Sequence, residues 1–249
     1  MSQSILAHVV PKITQAEPAA TRALHYLLDA SGRVAERFID LVGSQPFDIG
    51  RIGTEWNYAD NVRPDLSIHD AGTGDHRIFV ENKFRARLTD FQPVDYLRAL
   101  PERDTSVLAF IAPEDRIEDK LLWGELKARC RRAGFELSEE STTVDLCRIR
   151  VAPIEQDYAR SLVLTSWRRV LEALQHAAAA AGHAALERDI VQLRGLTETM
   201  RRDATEVPAD QPSRVTFAGS DEVFPPLRAD EPTDAGAAAR HPYRGRFDR

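Results

Sequence analysis

The 249-residue sequence predicts an α/β fold: a mixed sheet flanked by helices, followed by a C-terminal helical hairpin and an extended tail. Three observations carry this. Residues 65–69 and 78–83 read as strands, the first alternating apolar and polar side chains and the second β-branched and aromatic, and a Gly-rich turn joins them. Residues 106–112, SVLAFIA, are a continuous apolar run of strand length, as a strand buried on both faces would be. The intervening and following stretches repeat apolar residues every three or four positions, the period of a helix with one buried face.

In order along the chain, residues 1–16 read as a short leader or a poorly formed first helix. Residues 19–28 place Ala20, Ala23, Leu24, Leu27 and Leu28 at helical spacing, Ser31-Gly32 interrupts, and residues 33–42 continue with Val34, Phe38, Leu41 and Val42 on one face. Gly43 is a natural stop. Residues 47–58 read as a first strand, with Gly50 and Gly53 marking a bend or bulge. In the second strand Leu66 and Ile68 alternate with Asp65, Ser67 and His69. Residues 71–75, AGTGD, supply turn chemistry, and Ile78-Phe79-Val80 opens a third strand that runs to about Lys83. A helix is expected next, capped by Thr89 or Asp90 and carrying Pro93 in its first turn. After the apolar strand, Pro113 ends the run and residues 114–132 read as one amphipathic helix with a stripe of Ile117, Leu121, Leu122, Leu126 and Cys130, closed by Gly134. Residues 135–151 are expected to hold one strand, at 144–151, and residues 161–164 a short one. Ser166 caps a helix entering the alanine-rich stretch, Gly182 divides it from a second, and Leu186, Ile190, Leu193, Leu196 and Met200 give that second helix its core face. Beyond Arg202 the chain is rich in Pro, Asp and Arg, and is expected to be extended or partly disordered. The corresponding division is a core at 17–155, a helical region at 156–202 packed on it, and a tail at 203–249.

The chemistry-bearing residues gather between Asn61 and Tyr96. Strand side chains alternate faces, so Glu81 and Lys83 point one way and Val80 and Asn82 the other. Asp65, from the neighbouring strand, reaches the same place as Glu81. Two carboxylates and an ammonium at the edge of an apolar sheet are costly unless paired or bound to a metal. Two hard oxygen ligands suit Mg²⁺ or Mn²⁺. A second Glu-x-Lys, Glu125 to Lys127, lies in a run of helical period, where residues two apart diverge, so it builds no site.

Pro64-Asp65 followed by Glu81-Asn82-Lys83 resembles the PD-(D/E)XK nuclease superfamily. Gln92-Pro-Val-Asp-Tyr96 resembles the Gln-x-x-x-Tyr helix motif of its recombination-exonuclease-like branch, and on a helix Gln92 and Tyr96 would share a face. The layout over about residues 17–200 is similar to a bacterial group found beside mobile elements and defence genes. The likeness includes the opening helix at 21–28, Leu122-Trp-x-Glu-Leu126 and Gln192-Leu-Arg-Gly-Leu196. The resemblance implies a restriction-endonuclease-like core and a Mg²⁺- or Mn²⁺-dependent deoxyribonuclease, acting in anti-phage defence or DNA processing. It implies that Asp65, Glu81 and the carbonyl of Asn82 bind the ion, that Lys83 positions the attacking water, that Gln92 orients site groups, and that Tyr96 contacts phosphate or braces the helix against the sheet. An acidic residue on the first helix sometimes joins such sites; Glu17 and Glu36 are the candidates, with Glu55 a third from the first strand. Arg85 and Arg87 are expected to contact the nucleic-acid backbone, with Arg98 and the cluster Arg129, Arg131 and Arg132 as weaker candidates, the cluster reading more simply as a helix C-terminus.

Composition narrows the alternatives. A net charge of −6 excludes a wholly basic nucleic-acid binder, so a nuclease here needs a local basic patch or a metal. Cys130 and Cys147 have no metal spacing and suit a reducing cytoplasm. His176 and His183 lack carboxylates at metal spacing, which argues against zinc. No apolar run approaches the roughly 18 residues of a membrane span, so no membrane partner is expected. DNA is the expected partner, with RNA as the other nucleic acid, and a second copy or another protein is the candidate gate of activity. Three other readings use the same residues: an RNA or tRNA nuclease, a catalytically silent binding or assembly module of the same fold, and an unrelated α/β scaffold with a coincidental motif.

Overall fold

A seven-stranded mixed sheet with helices on both faces organises the chain, in the strand order β1-β2-β3-β4-β7-β6-β5. The computed structural model describes residues 16–54, 62–103, 105–154 and 158–206. The expectations for the leader, for Glu55 and for most of the tail lie outside the described residues, which belong to one compact unit. The strands are β1 (Ile49–Thr54), β2 (Leu66–Asp70), β3 (His76–Asn82), β4 (Val107–Ala112), β5 (Phe135–Thr142), β6 (Leu146–Pro153) and β7 (Arg160–Ser166). The helices are α1 (Ala16–Asp29), α2 (Gly32–Val42), α3 (Val94–Ala99), α4 (Glu114–Glu118), α5 (Leu121–Arg132), α6 (Trp167–Ala180) and α7 (Ala184–Glu206).

β3, β4 and β7 run parallel in the middle, and antiparallel pairs flank them on both sides. β4 and β7 are buried throughout, which is why residues 107–112 carry no polar alternation. Period-two alternation sorts the rest into two cores. Leu66, Ile68, Ile78 and Val80 face one core with α1, α2, α6 and α7. Phe79, Leu108, Phe110, Leu162 and Leu164 face the other, with α3 and α5. Asp65, Glu81 and Lys83 share the parity of the second set, so they emerge on the α3/α5 side.

Several local expectations match in position. Gly43 closes α2 at φ 72°, Ser166 Oγ accepts the Arg169 N–H at the start of α6, and Gly182 stands at φ 71° between α6 and α7. At Gly50 the β1–β2 register slips. A Cβ there would stand 2.8 Å from the Ala71 Cα, so the close approach of two backbones requires glycine.

Other expectations are corrected. Residues 114–132 are two helices, because Lys120 adopts φ 59° and breaks the run. Leu121 is consequently 74% exposed and leaves the stripe, while Trp123 joins the buried set. The stretch 135–151 holds a hairpin of two strands, β5 and β6, where one was expected. β5 is an edge strand, exposed along most of its length, and so carries little apolar pattern. Residues 160–166 are a full central strand between β4 and β7's neighbour β6, so the sheet extends past residue 155 into the region assigned to helices. No helix among the described residues is long and apolar enough to cross a membrane.

Candidate active site

The β2–β3 pairing places the site. Leu66 stands opposite Val80 in an antiparallel ladder, and one step further Asp65 falls beside Glu81 on the same face. Like charges so placed repel. Asp65 Oδ2 accepts the Asn82 backbone N–H at 2.7 Å, which ties the carboxylate to the end of β3. Burial first, and then the charge of Glu81, push the Asp65 carboxyl from its ordinary 3.8 up to about 7. Glu81 is also raised, by burial, although Lys83 and Gln92 oppose the shift.

Glu81 and Lys83 are 6% and 4% exposed and form a buried ion pair, with Lys83 Nζ donating to Glu81 Oε1 at 2.8 Å. Gln92 Nε2 donates to the same Oε1 at 2.6 Å. The other oxygen, Oε2, is buried and accepts no hydrogen bond. A carboxylate with one oxygen doubly bonded and the other buried without a partner is poised for a further cation.

Gln92 reaches this position from outside the helix. α3 begins only at Val94, Pro93 occupies its N-cap position, and no side chain caps it; the expected Thr89 or Asp90 cap is absent. Instead Gln92 Oε1 accepts the Thr89 N–H at 3.2 Å, and Gln92 N donates to the Thr89 carbonyl at 3.2 Å, closing the turn on itself. Tyr96, within α3, is buried, lies edge-on to Phe79, and donates its hydroxyl to the Arg63 carbonyl at 3.0 Å. It thereby braces the segment leading into Asp65. Burial and the Glu81 charge push its phenol up to about 12, so it remains a neutral donor.

Asn82 faces the opposite layer, as alternation requires. Its Nδ2 donates to Thr21 Oγ1 on α1 at 2.6 Å, and its Oδ1 is buried without a partner. Glu17, one turn earlier on α1, accepts backbone N–H groups of Phe84, Arg85 and Ala86 at 2.7, 3.2 and 3.3 Å through Oε1. It is near enough for its charge to raise Asp65. Glu36 is not near: it is exposed and lies 4.0 Å from Arg33. Arg85 and Arg87 are exposed on the connection after Lys83, whereas Arg98 pairs with Asp95 at 3.6 Å. Glu125 and Lys127 are divided between Arg129 and Glu140, away from the carboxylate pair.

Two arginines hold the site's loops: Arg129, which the sequence offered in another role, and Arg116, which it did not single out. Arg129 Nη1 donates to the carbonyls of Thr89 and Gln92, the latter at 3.0 Å, while Glu125 grips the same guanidinium at 2.7 Å. It stands in the last turn of α5, as expected of a basic residue at a helix C-terminus, and it also clamps the turn carrying Gln92. Arg116 Nη1 donates to the carbonyls of Lys83 and Ala86 at 3.2 and 3.1 Å. No local pattern signals either role, since the acceptors lie 30 to 40 residues away.

Among the described residues, no group of three or more His, Cys, Asp or Glu is placed as a metal cage. The donor set here is two carboxylates, and the unpartnered Glu81 Oε2 with the mutual repulsion of Asp65 and Glu81 suits a hard divalent cation that keeps several waters. A scan of family models finds none that matches this chain, and comparisons with curated proteins and with solved structures find no match either.

Proposed function

We propose that the protein is a Mg²⁺- or Mn²⁺-dependent nuclease of the PD-(D/E)XK type that hydrolyses DNA phosphodiester bonds. The observation that carries the reading is the buried Glu81 carboxylate, held at Oε1 by Lys83 and Gln92, open at Oε2 and facing Asp65. Asp65 and Glu81, with the Asn82 carbonyl, would hold the ion, which when bound supplies Lewis acidity and a water of lowered pKa.

The chain's own groups do the rest. Lys83 Nζ, already at the site, holds the attacking water and offsets negative charge building on the phosphoryl oxygens. The water oxygen bonds to phosphorus and gives up its proton to solvent, the bridging P–O bond breaks, and the departing oxygen takes up a proton from solvent. Gln92 fixes the Glu81 rotamer so that Oε2 stays turned toward the site, and Arg129 fixes Gln92. Tyr96 sets the approach of Asp65 through the Arg63 carbonyl. Arg85 and Arg87, exposed beside the site, are placed to touch backbone phosphates.

The test is digestion of linear and circular DNA, with RNA alongside, in Mg²⁺ and in Mn²⁺. Wild-type protein should cut DNA only with the ion, and Asp65→Asn and Lys83→Met should not cut while remaining folded. Full activity in either variant, or no cleavage of DNA under any of these conditions, would overturn the reading; preferential cleavage of RNA would move the substrate and keep the site.

A further inference from the structure

Surface connections are usually the mobile part of a fold, but the one from β3 to α3 is held at several points. Glu17 Oε1 accepts the N–H groups of Phe84, Arg85 and Ala86, and Arg116 Nη1 donates to the carbonyls of Lys83 and Ala86. Arg129 donates to the carbonyls of Thr89 and Gln92, and Gln92 Oε1 returns to the Thr89 N–H. Phe84 and Leu88 are buried and anchor the segment in opposite cores. Between these anchors Arg85, Arg87, Asp90 and Phe91 are exposed.

A single apolar side chain in water is ordinary. Phe91 differs in three respects. Of the large apolar side chains exposed among the described residues it is the one aromatic, and it is 42% exposed. For an aromatic residue that is roughly 60–100 Å² of accessible surface. Its Cα stands about 3.8 Å from that of Gln92, whose side chain ends on Glu81 Oε1 at 2.6 Å. A strand with a phosphate at the carboxylate pair therefore passes within reach of the ring. The exposed charges of its own segment are two arginines against one aspartate, in a chain of net charge −6. An aromatic interleaved with cations on a fixed backbone suits an unpaired base: the ring stacks on the base while guanidinium groups meet the phosphates. Bases inside a duplex are stacked on one another and do not offer a face to a side chain on a turn. A protein partner would call for a wider apolar patch, whereas the exposed sequence neighbours of Phe91 are charged or small.

We infer that residues 84–91 form a platform for a single-stranded stretch of DNA, with Phe91 stacking on a base and Arg85 and Arg87 meeting the phosphates beside it. That unpaired DNA is also the substrate class of the carboxylate site rests on the proposed nuclease activity, while the binding itself does not.

The test is fluorescence anisotropy with the full chain and a chelator, so that neither metal nor cleavage enters. The probes are a short labelled single-stranded oligodeoxynucleotide, the same strand made abasic, and its duplex. The base-bearing single strand should bind about tenfold more tightly than either of the others. Phe91→Ala and Phe91→Leu, at an exposed position and with urea midpoints unchanged, should both remove that advantage, because stacking needs the ring and not merely an apolar group. Phe91→Trp should keep it and add indole fluorescence that the base-bearing strand quenches and the abasic strand does not. The double change Arg85→Gln, Arg87→Gln should weaken base-bearing and abasic strands alike and flatten the dependence on salt. Asp65→Asn should keep the preference for the base-bearing strand, so failure of the cleavage assay and failure of this one are told apart. Equal affinity for the three probes, no saturable binding of the base-bearing strand, or wild-type binding by Phe91→Ala or Phe91→Leu would overturn the inference. A Phe91→Ala protein that binds the strand as wild type does but changes its self-association in light scattering would overturn it in favour of a contact between protein surfaces.

Discussion

Replacing Asp65 by asparagine should stabilise the protein, and more so as pH rises. The substitution preserves shape and leaves an oxygen to accept the Asn82 N–H now bound at 2.7 Å, but removes one of two carboxylates that repel each other in a buried place. The folded carboxyl titrates at about 7 against an ordinary 3.8. A group raised in this way contributes its stability in full below 3.8, loses it as pH climbs, and has lost all of it above 7, because the unfolded chain ionises first. At about 1.4 kcal/mol per pH unit, the whole difference is about 4 kcal/mol. Between pH 5 and pH 8 the part lost is about 2–3 kcal/mol. Urea unfolding of both proteins at these two pH values, with a chelator present, measures it. The stability of Asp65→Asn relative to wild type should rise by that amount from pH 5 to pH 8, and release of Glu81 from its neighbour's charge acts in the same direction. Taking the difference between two pH values cancels any pH-independent packing cost of the amide. Adding Mn²⁺ at pH 8 should then raise the wild-type midpoint, by about 2.7 kcal/mol at a hundredfold excess over Kd, and leave the variant where it was. A relative stability that stays constant across the two pH values, or falls, would refute the claim that the two carboxylates share one desolvated site.

Three further outcomes follow from the same geometry. Lys83→Met leaves the Glu81 carboxylate buried with no cationic partner and Gln92 as its side-chain donor, and should cost about 3–5 kcal/mol at pH 8 in urea unfolding, with part of the loss recovered at lower pH as Glu81 takes up a proton. Arg129→Ala frees the carbonyls of Thr89 and Gln92; it should cost about 1–2 kcal/mol and slow cleavage by about tenfold or more, with Mn²⁺ affinity by calorimetry little changed, and Arg129→Lys should not rescue it because one ammonium lacks the forked reach. Gly50→Ala drives a Cβ to 2.8 Å from the Ala71 Cα and should lower stability by about 1–3 kcal/mol in thermal or urea unfolding, without affecting metal affinity.

What was legible in the sequence is what the chain's own period determines. Alternation along residues 65–69 and 78–83 encodes which side chains share a face, so Asp65, Glu81 and Lys83 could be brought together, and Asn82 sent the other way, before any coordinates. The same logic fails where period and environment part company. Residues 135–142 form a strand that is exposed along most of its length, and an edge with Glu136, Ser138 and Glu139 facing water carries no alternation to read. The helical period of 114–132 runs unbroken through Lys120, yet a single left-handed residue divides the helix and turns Leu121 out to solvent. Gln92 was placed on a helix with Tyr96 and instead stands in the turn before it; its contact with Glu81 arises from a turn closed by its own side chain and clamped by Arg129 from α5. Arg129 itself looked like a charge at a helix end because its neighbours in sequence are arginines, whereas its acceptors are main-chain carbonyls about forty residues earlier. Main-chain carbonyls have no residue identity, so an arginine that serves them leaves no complementary residue to find. The charged groups of such a cluster can therefore be read from one strand pair, while the groups that hold them still become visible only when the sheet's outer layers are in place.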